Sequence, residues 1–346
     1  MNIYQMNKQE LSELIKLNSD KTDKSLLEKA LETKQKYYGD KIFARGLIEI
    51  SNICKNNCYY CGIRADNKDV FRYRLTKEDI LDCCKKGNEL GFKTFVLQGG
   101  EDLYYTDKIM CDIINSIKEK YPECAVTLSI GEKSKKTYKA YKNAGADRFL
   151  LRHETADDYH YRKLHPENLT LKSRKKCLYD LKDCGFQVGA GFMVGSPYQT
   201  FENLADDLLF LKELEPQMVG IGPFIPHHNT PFKGFPKGSY SLTLTMLALT
   251  RLMLPGVLLP ATTALATLDN KNGRIDGFLA GANVVMPNLS PTTHREDYSL
   301  YDNKLSSGNE AAQSIKNLKK EIEKIGFSLD MSRGDNIEFI RKRQSE

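Results

Sequence analysis

Residues 77–102 read KEDILDCCKKGNELGFKTFVLQGGED. The first half has helical spacing, with Ile80, Leu81, Cys84 and Leu90 on one apolar side and a glycine at its end. KTFVLQ (93–98) then has the length and apolar run of a strand, and it breaks into the polar, glycine-rich QGGED (98–102). Helix, strand and polar turn recur along the chain. The other strand candidates are GLIEIS (46–51), AVTLSI (125–130), RFLLR (148–152), QVGAGFM (187–193), MVGIGPF (218–224), VLLPATT (257–263) and NVVMP (283–287). Helix-period segments lie between most of them; NLADDLLFLKEL, with Leu204, Leu208, Leu211 and Leu214, is one.

Strands alternating with helices imply parallel βαβ units, and eight of them predict an α/β fold of (β/α)8 TIM-type barrel. A doubly wound open sheet is the alternative; it usually carries a G-x-G-x-x-G or Walker A turn, and neither occurs here. We expect one barrel domain in three parts. Residues 1–41 form N-terminal helices, with Leu11, Leu14, Ile15, then Leu26, Leu27, Ala30 and Leu31 in period and Gly39 as a stop. Residues 42–301 form the barrel. Residues 302–346 form a C-terminal helical extension, with Ile315, Leu318, Ile322 and Ile325 in period, covering the bottom or side.

In such a barrel the chemistry collects at the C-terminal ends of the strands. Those ends are the segment after residue 51, QGGED, SIGE (129–132), RHET (152–155), MVGSP (193–197), GPFIPHH (222–228), ATTA (261–264) and MPNLSP (286–291). All are polar, glycine-rich or both.

Composition bounds the function. The chain has 346 residues, 40% hydrophobic and 28% charged, with a formal net charge of +6. Its basic residues are dispersed, which argues against a nucleic-acid surface. No apolar run reaches the roughly 18 residues of a membrane span, and the charged start MNIYQMNKQELSELIKL does not resemble a signal peptide. We expect a cytoplasmic protein with reduced thiols. Its nine cysteines are an odd number, a poor fit to a disulfide framework. Cys83, Cys84, Cys111, Cys124, Cys177 and Cys184 read as core or surface thiols.

The other three, Cys54, Cys58 and Cys61, stand in SNICKNNCYYCGIR (51–64) at the spacing C-x3-C-x2-C. Thiolates suit zinc, copper(I) or iron–sulfur clusters. Three on one loop can hold three irons of a cubane and leave the fourth open. A zinc ion completed by a water or by one of the six histidines, none of them in the loop, is the other reading.

C-x3-C-x2-C with Tyr60 before the third cysteine resembles the signature of radical S-adenosylmethionine (SAM) enzymes. The resemblance implies a 4Fe–4S cluster on Cys54, Cys58 and Cys61, with SAM on the open iron, cleaved by one electron to a 5′-deoxyadenosyl radical. It also implies roles at other strand ends. Gln98, Gly99, Gly100 and Glu101 resemble the segment that binds the methionyl amino group. Ser129, Arg152, Glu154 and, in the next helix, Arg174 resemble positions holding the carboxylate, ribose and sulfonium region. Gly222, Pro223 and Ile225 resemble the backbone that reads adenine, and Tyr60 and Met193 join the cofactor wall.

Several stretches together, FVLQGGED, LLRHETA, MVGIGPFIPH, PATTALAT and NVVMPNLSP, are similar to the HydE family of FeFe-hydrogenase maturases; relatives with the same barrel are biotin synthase and methylornithine synthase. This implies a role in assembling the diiron active site, on a small organometallic or amino-acid-derived substrate, with other hydrogenase maturases and a reduced ferredoxin or flavodoxin as partners. The alternative is a radical SAM mutase or sulfur-inserting enzyme on an amino-acid-like substrate. Arg152, Thr262, Thr263 and Met286 are the candidate substrate ligands, and Tyr298 and Tyr301, at i and i+3, the candidate catalytic pair aimed inward by one helical turn. Some HydE proteins carry a second cluster on C-terminal cysteines. SLYDNKLSSGNEAAQ (299–313) has none, so no second cluster is expected. RGD (333–335) reads as a chance tripeptide.

Overall fold

The computed structural model describes residues 2–305 and 312–345. Asn7 opens α1 (Lys8–Leu17) with a capping box to Glu10, and α2 (Lys24–Tyr38) stops at Gly39, whose φ is 60°. The expected apolar residues bury: Leu11, Ile15, Leu26 and Ala30 are all in the core. Then come β1 (Lys41–Ala44), β2 (Gly46–Ser51), α3 (Lys77–Glu89), β3 (Thr94–Gly99), α4 (Asp107–Lys120), β4 (Ala125–Ser129), α5 (Lys135–Asn143) and β5 (Arg148–Leu150). They are followed by α6 (Asp158–Leu164), α7 (Leu171–Asp183), β6 (Gln187–Val194), α8 (Phe201–Leu214), β7 (Met218–Pro223) and α9 (Tyr240–Met253). The chain continues through α10 (Thr263–Leu268), α11 (Gly273–Leu279), β8 (Val284–Val285), α12 (Ile315–Lys324), β9 (Ser328–Asp330) and α13 (Ile337–Ser345).

Strands β2 to β7 form one six-stranded parallel sheet in chain order. Parallel bridges carry the pairing onward, Met218 to Leu258, Pro260 to Val284, and Leu47 back to Asn288. The predicted barrel is therefore the architecture. One prediction within it fails: VLLPATT (257–263) is not a continuous strand. Pro260 has no N–H to give, and the Asn283 side chain takes a place in the ladder by accepting from Leu259 N at 2.9 Å. The eighth strand shrinks to two residues at Pro287, whose carbonyl still accepts from Leu47 N at 2.9 Å.

Two strands lie outside the expected set. β1 pairs in parallel with β8 and β9. The helical extension is borne out by α12 and α13; α12 packs beside β9 and buries Leu318 and Ile322. Helices α1 and α2 lie against α8 and α9.

The segment 333–336 closes the lower mouth. Thr94, Arg148 and Gln187 open β3, β5 and β6. Thr94 Oγ1 donates to Arg333 O at 2.9 Å, while Arg148 Nη2 at 2.5 Å and Gln187 Nε2 at 2.7 Å both reach Asp335 Oδ1. The RGD tripeptide is thus a floor. Among the described residues no helix is long and apolar enough to cross a membrane.

Candidate active site

The chain leaves β2 and wanders through residues 52–76 without a helix, so its backbone groups need partners from side chains. Arg72 supplies many of them. Its guanidinium donates to the carbonyls of Asn52, Ile63, Arg64 and Asn67 at 2.5–2.9 Å. Asn52 ties the loop to Phe71 O and Asp297 O. Cys54 Sγ accepts from the backbone N–H of Asn56 and of Glu101, each at 3.4 Å, which joins the loop to the end of β3. Gly100 makes that approach possible, because a Cβ there would lie 2.3 Å from Ile53 O.

Burial pushes the Cys58 thiol up to about 12 and raises Cys54 and Cys61 as well. Such thiols stay neutral until a metal displaces their protons. Among the described residues, the three-ligand group whose atoms all fall within 4.8 Å is His227, His228 and Asp302; the three cysteine sulfurs are not gathered that closely. Three soft thiols on one loop, each able to take its own iron, suit a cubane.

The loop forms one wall of a cavity of about 300 Å³ at the C-terminal ends of the strands. Cys54, Cys58, Cys61 and Tyr60 line it together with Gln98, Gly99, Gly100 and Glu101 from the end of β3. Ser129 enters from β4, Arg152 and Glu154 from beyond β5, Arg174 from α7 and Met193 from β6. Gly222, Pro223 and Ile225, at and just past the end of β7, close the far side beside Thr262, Tyr298 and Tyr301.

Glu154 is in the left-handed region, φ 66°, an unusual state for a side chain of this size. It is held there by backbone bonds, Glu154 N to Gly191 O and Met193 N to Glu154 O. Its carboxylate is 3.0 Å from Arg152 Nη2 without the angle of a hydrogen bond, so Glu154 Oε2, Arg152 Nε and Arg152 Nη2 are buried and unsatisfied. Arg174 Nε and Glu132 Oε1 repeat the pattern at 2.7 Å. Burial opposes the Arg174 charge, but Tyr161 and Glu132 hold its pKa above normal. Orphaned polar atoms around a hollow are the mark of a ligand site, and this donor set suits the amino, carboxylate and ribose groups of SAM.

Tyr60 is fixed by His165. His165 Nδ1 donates to Tyr161 O at 3.0 Å, which leaves Nε2 to accept from the Tyr60 hydroxyl at 3.2 Å. Burial, then Arg174, brings the His165 pKa down to about 3, so the ring is neutral and this tautomer is retained.

A cap of residues 298–304 lies over the cysteine loop. Gly62 N donates to Leu300 O at 2.8 Å, and a Cβ at Gly62 would meet Ser299 O at 2.3 Å. Tyr298 is buried and its hydroxyl accepts from Gln98 Nε2 at 3.4 Å. Below it, Lys304 Nζ reaches the fully buried Glu49 at 2.6 Å, and Asn288 Nδ2 takes the other carboxylate oxygen at 2.8 Å.

Three expectations need correction. Tyr298 and Tyr301 both face the cavity, but residues 298–301 form no helical turn; backbone bonds to the loop orient them instead. Thr263 is outside the cavity, since Thr262 caps α10 by accepting from Leu265 N and turns the next residue away. Met286 packs lower in the barrel against Tyr38, Phe43, Met218, Leu258 and Val284. Sequence reasoning missed Asn56, Gly131, Leu150, Leu151, Ala264 and Leu300, which also line the cavity. All six lie within or beside stretches singled out above, and proximity was the available signal.

Residues 48–211 match the Radical SAM superfamily. The chain is 46% identical over 316 residues to the [FeFe] hydrogenase maturase subunit HydE of Thermotoga maritima, covering 91% of this chain and 90% of that one. It is 30% identical to 3-methylornithine synthase of Methanosarcina barkeri, over 94% and 90% of the two chains. The crystal structure of methylornithine synthase (PylB) superposes with a TM-score of 0.81 at 27% identity, over 94% of this chain and 95% of that one. Radical SAM enzymes use a 4Fe–4S cluster and SAM, the two groups that the thiols and orphaned polar atoms suit. The chain belongs to the radical SAM superfamily and, within it, to the family of the hydrogenase maturase HydE.

Proposed function

We propose that this enzyme acts in assembly of the FeFe-hydrogenase diiron site, with a 4Fe–4S cluster on Cys54, Cys58 and Cys61 and SAM across the strand ends. The observation that carries the reading is the 46% identity to HydE over 91% of the chain, in a molecule whose three thiols open onto one cavity with Arg152 and Glu154. When bound, cluster and SAM together supply a 5′-deoxyadenosyl radical.

The chain's own residues do the rest. The backbone around Gln98–Glu101 receives the amino group, and Arg174 and Arg152 attract the carboxylate. Glu154 accepts from ribose hydroxyls. The Gly222–Ile225 backbone lies along the adenine, and Tyr60, pinned by His165, walls the cluster edge. Leu150, Leu151 and Leu300 exclude water from the reacting centre. Arg152 and Thr262 hold an anionic group of a small organometallic or amino-acid-derived substrate, and Tyr298 and Tyr301 limit its approach. The other maturases and a one-electron carrier are the partners, in the cytoplasm.

The similarity to 3-methylornithine synthase favours a second reading, a mutase acting on an amino acid. Two measurements separate them. After anaerobic iron–sulfur reconstitution, SAM and a strong reductant should yield 5′-deoxyadenosine, and Cys58→Ala should abolish it. In extracts with apo-hydrogenase and the other maturases, hydrogenase activity should require this chain; activity that appears without it sinks the maturase reading.

A further inference from the structure

Beside the cysteine loop, aromatic rings pack in a row out to the surface. Tyr59, next to Cys58, sets its ring 6.0 Å from Phe232. Phe232 meets Phe235 at 5.3 Å and Tyr198 at 6.3 Å, and those two meet each other at 5.4 Å. Phe232 is buried and Tyr59 and Phe235 are half-buried, but Tyr198 is 57% exposed and the neighbouring Tyr159 64%. Tyr198 is also held at φ 67°, a strained state for tyrosine. The Gln199 side chain fixes that turn, accepting from Gly195 N at 2.6 Å and donating to Met193 O at 2.8 Å.

Three lysines flank it. Lys163 Nζ lies over Tyr159 at 5.1 Å and over Tyr198 at 5.7 Å. Lys233 and Lys237 are exposed on either side of Phe235. Among the described residues no carboxylate pairs with these three lysines. Two nearby acids have partners of their own: Asp158 pairs with Arg162 at 3.1 Å, and Asp157 caps α6 by accepting from His160 N. Aromatic rings rimmed by free cations suit an acidic protein partner.

We propose that this patch docks an acidic ferredoxin that delivers the electron. The proposal rests on the reading that Cys54, Cys58 and Cys61 hold the cluster. One electron leaves the reduced ferredoxin, which is oxidised, and enters the centre held by the loop, which is reduced; no bond or proton moves. Tyr198, Phe232 and Tyr59 provide a packed aromatic contact from the docking face to the residue adjoining Cys58. The complex is weak and salt-sensitive, as transient redox encounters are.

The test uses the cluster-loaded protein and an acidic bacterial ferredoxin. Reversing three charges (Lys163→Glu, Lys233→Glu, Lys237→Glu) should weaken ferredoxin binding by calorimetry about tenfold at low salt. Cluster reduction by ferredoxin should slow equally, and reduction by dithionite should not change. Three reversals on α12 (Lys316→Glu, Lys320→Glu, Lys324→Glu) should leave all of these intact. Tyr198→Ala should slow the ferredoxin step alone. The proposal is overturned if the patch variant binds and accepts electrons from ferredoxin as the unmodified protein does, or if the α12 variant is equally impaired. Absence of 5′-deoxyadenosine from the unmodified protein with dithionite and SAM would instead sink the underlying reading.

Discussion

Lys304 and Glu49 form an ion pair at 2.6 Å inside the barrel, with the carboxylate wholly buried and the ammonium nearly so. It fastens the cap over the cavity to β2. Removing one partner strands a charge in the interior, at a cost of about 3–5 kcal/mol. We expect that loss in urea unfolding for Lys304→Met. Glu49→Gln with Lys304→Met should restore most of it, because neither charge is then left alone. Additive losses would show that the pair does not act as a unit.

Glu154 allows backbone strain to be separated from chemistry. Glu154→Ala and Glu154→Gly both remove the carboxylate, but glycine tolerates positive φ. The glycine variant should be more stable by about 1 kcal/mol in thermal or urea melts. Both should lose SAM affinity in equilibrium binding. Retained affinity would remove Glu154 from the cofactor site.

His165 makes a pH prediction with a definite sign. Its native pKa is brought down to about 3, against about 6.5 in an unfolded chain. Below pH 6.5 the unfolded chain takes up a proton that the native ring refuses. Its contribution to stability is therefore full above that value and falls as pH drops toward 3, by up to about 1.4 kcal/mol per unit. Between pH 6.5 and 5, His165→Gln should show a flatter fall in unfolding free energy than the parent. Parallel curves would mean that the ring is protonated in the native protein.

Gly62 is where the cap touches the loop. In Gly62→Ala the methyl meets both Ser299 O and the His227 ring, and both must give way, an overpacking cost of about 1–3 kcal/mol. The cap should lift, and iron should leave to a chelator several-fold faster than from the parent. An unchanged release rate would show that the cap does not protect the loop.

The cysteines divide cleanly. Cys177 is buried on α7 beside the Glu132 turn and does not line the cavity at the strand ends, so Cys177→Ser should keep the full iron content after reconstitution. Cys54→Ala and Cys61→Ala should lose it.

Much of this was legible in the sequence because hydrophobic period and motif position agree in a βα repeat. The strands at 46–51, 94–99 and 125–129 fall within a residue of expectation. The cysteine loop and most strand-end residues share the cavity because topology puts every strand's C-terminal end on one side. The failures are local. Pro260 erased a strand that composition supports. Arg45 divides KIFA from GLIEIS, and no apolar pattern announces that the two belong to different sheets. Thr263 and Met286 show how a shift of one residue selects another face. His165 and Lys304 are invisible to motif reading, since each acts by holding a neighbour found only in three dimensions.

Residues 333–336 tie Thr94, Arg148 and Gln187 together beneath the strands, and they emerge from the ribosome after every strand of the ring. During synthesis the ring is thus a vessel without a base, its buried Arg148 still lacking the Asp335 partner. A truncation just before Arg333 would leave that unfinished vessel permanently, with the cysteine loop intact at its rim and water entering from the opposite end.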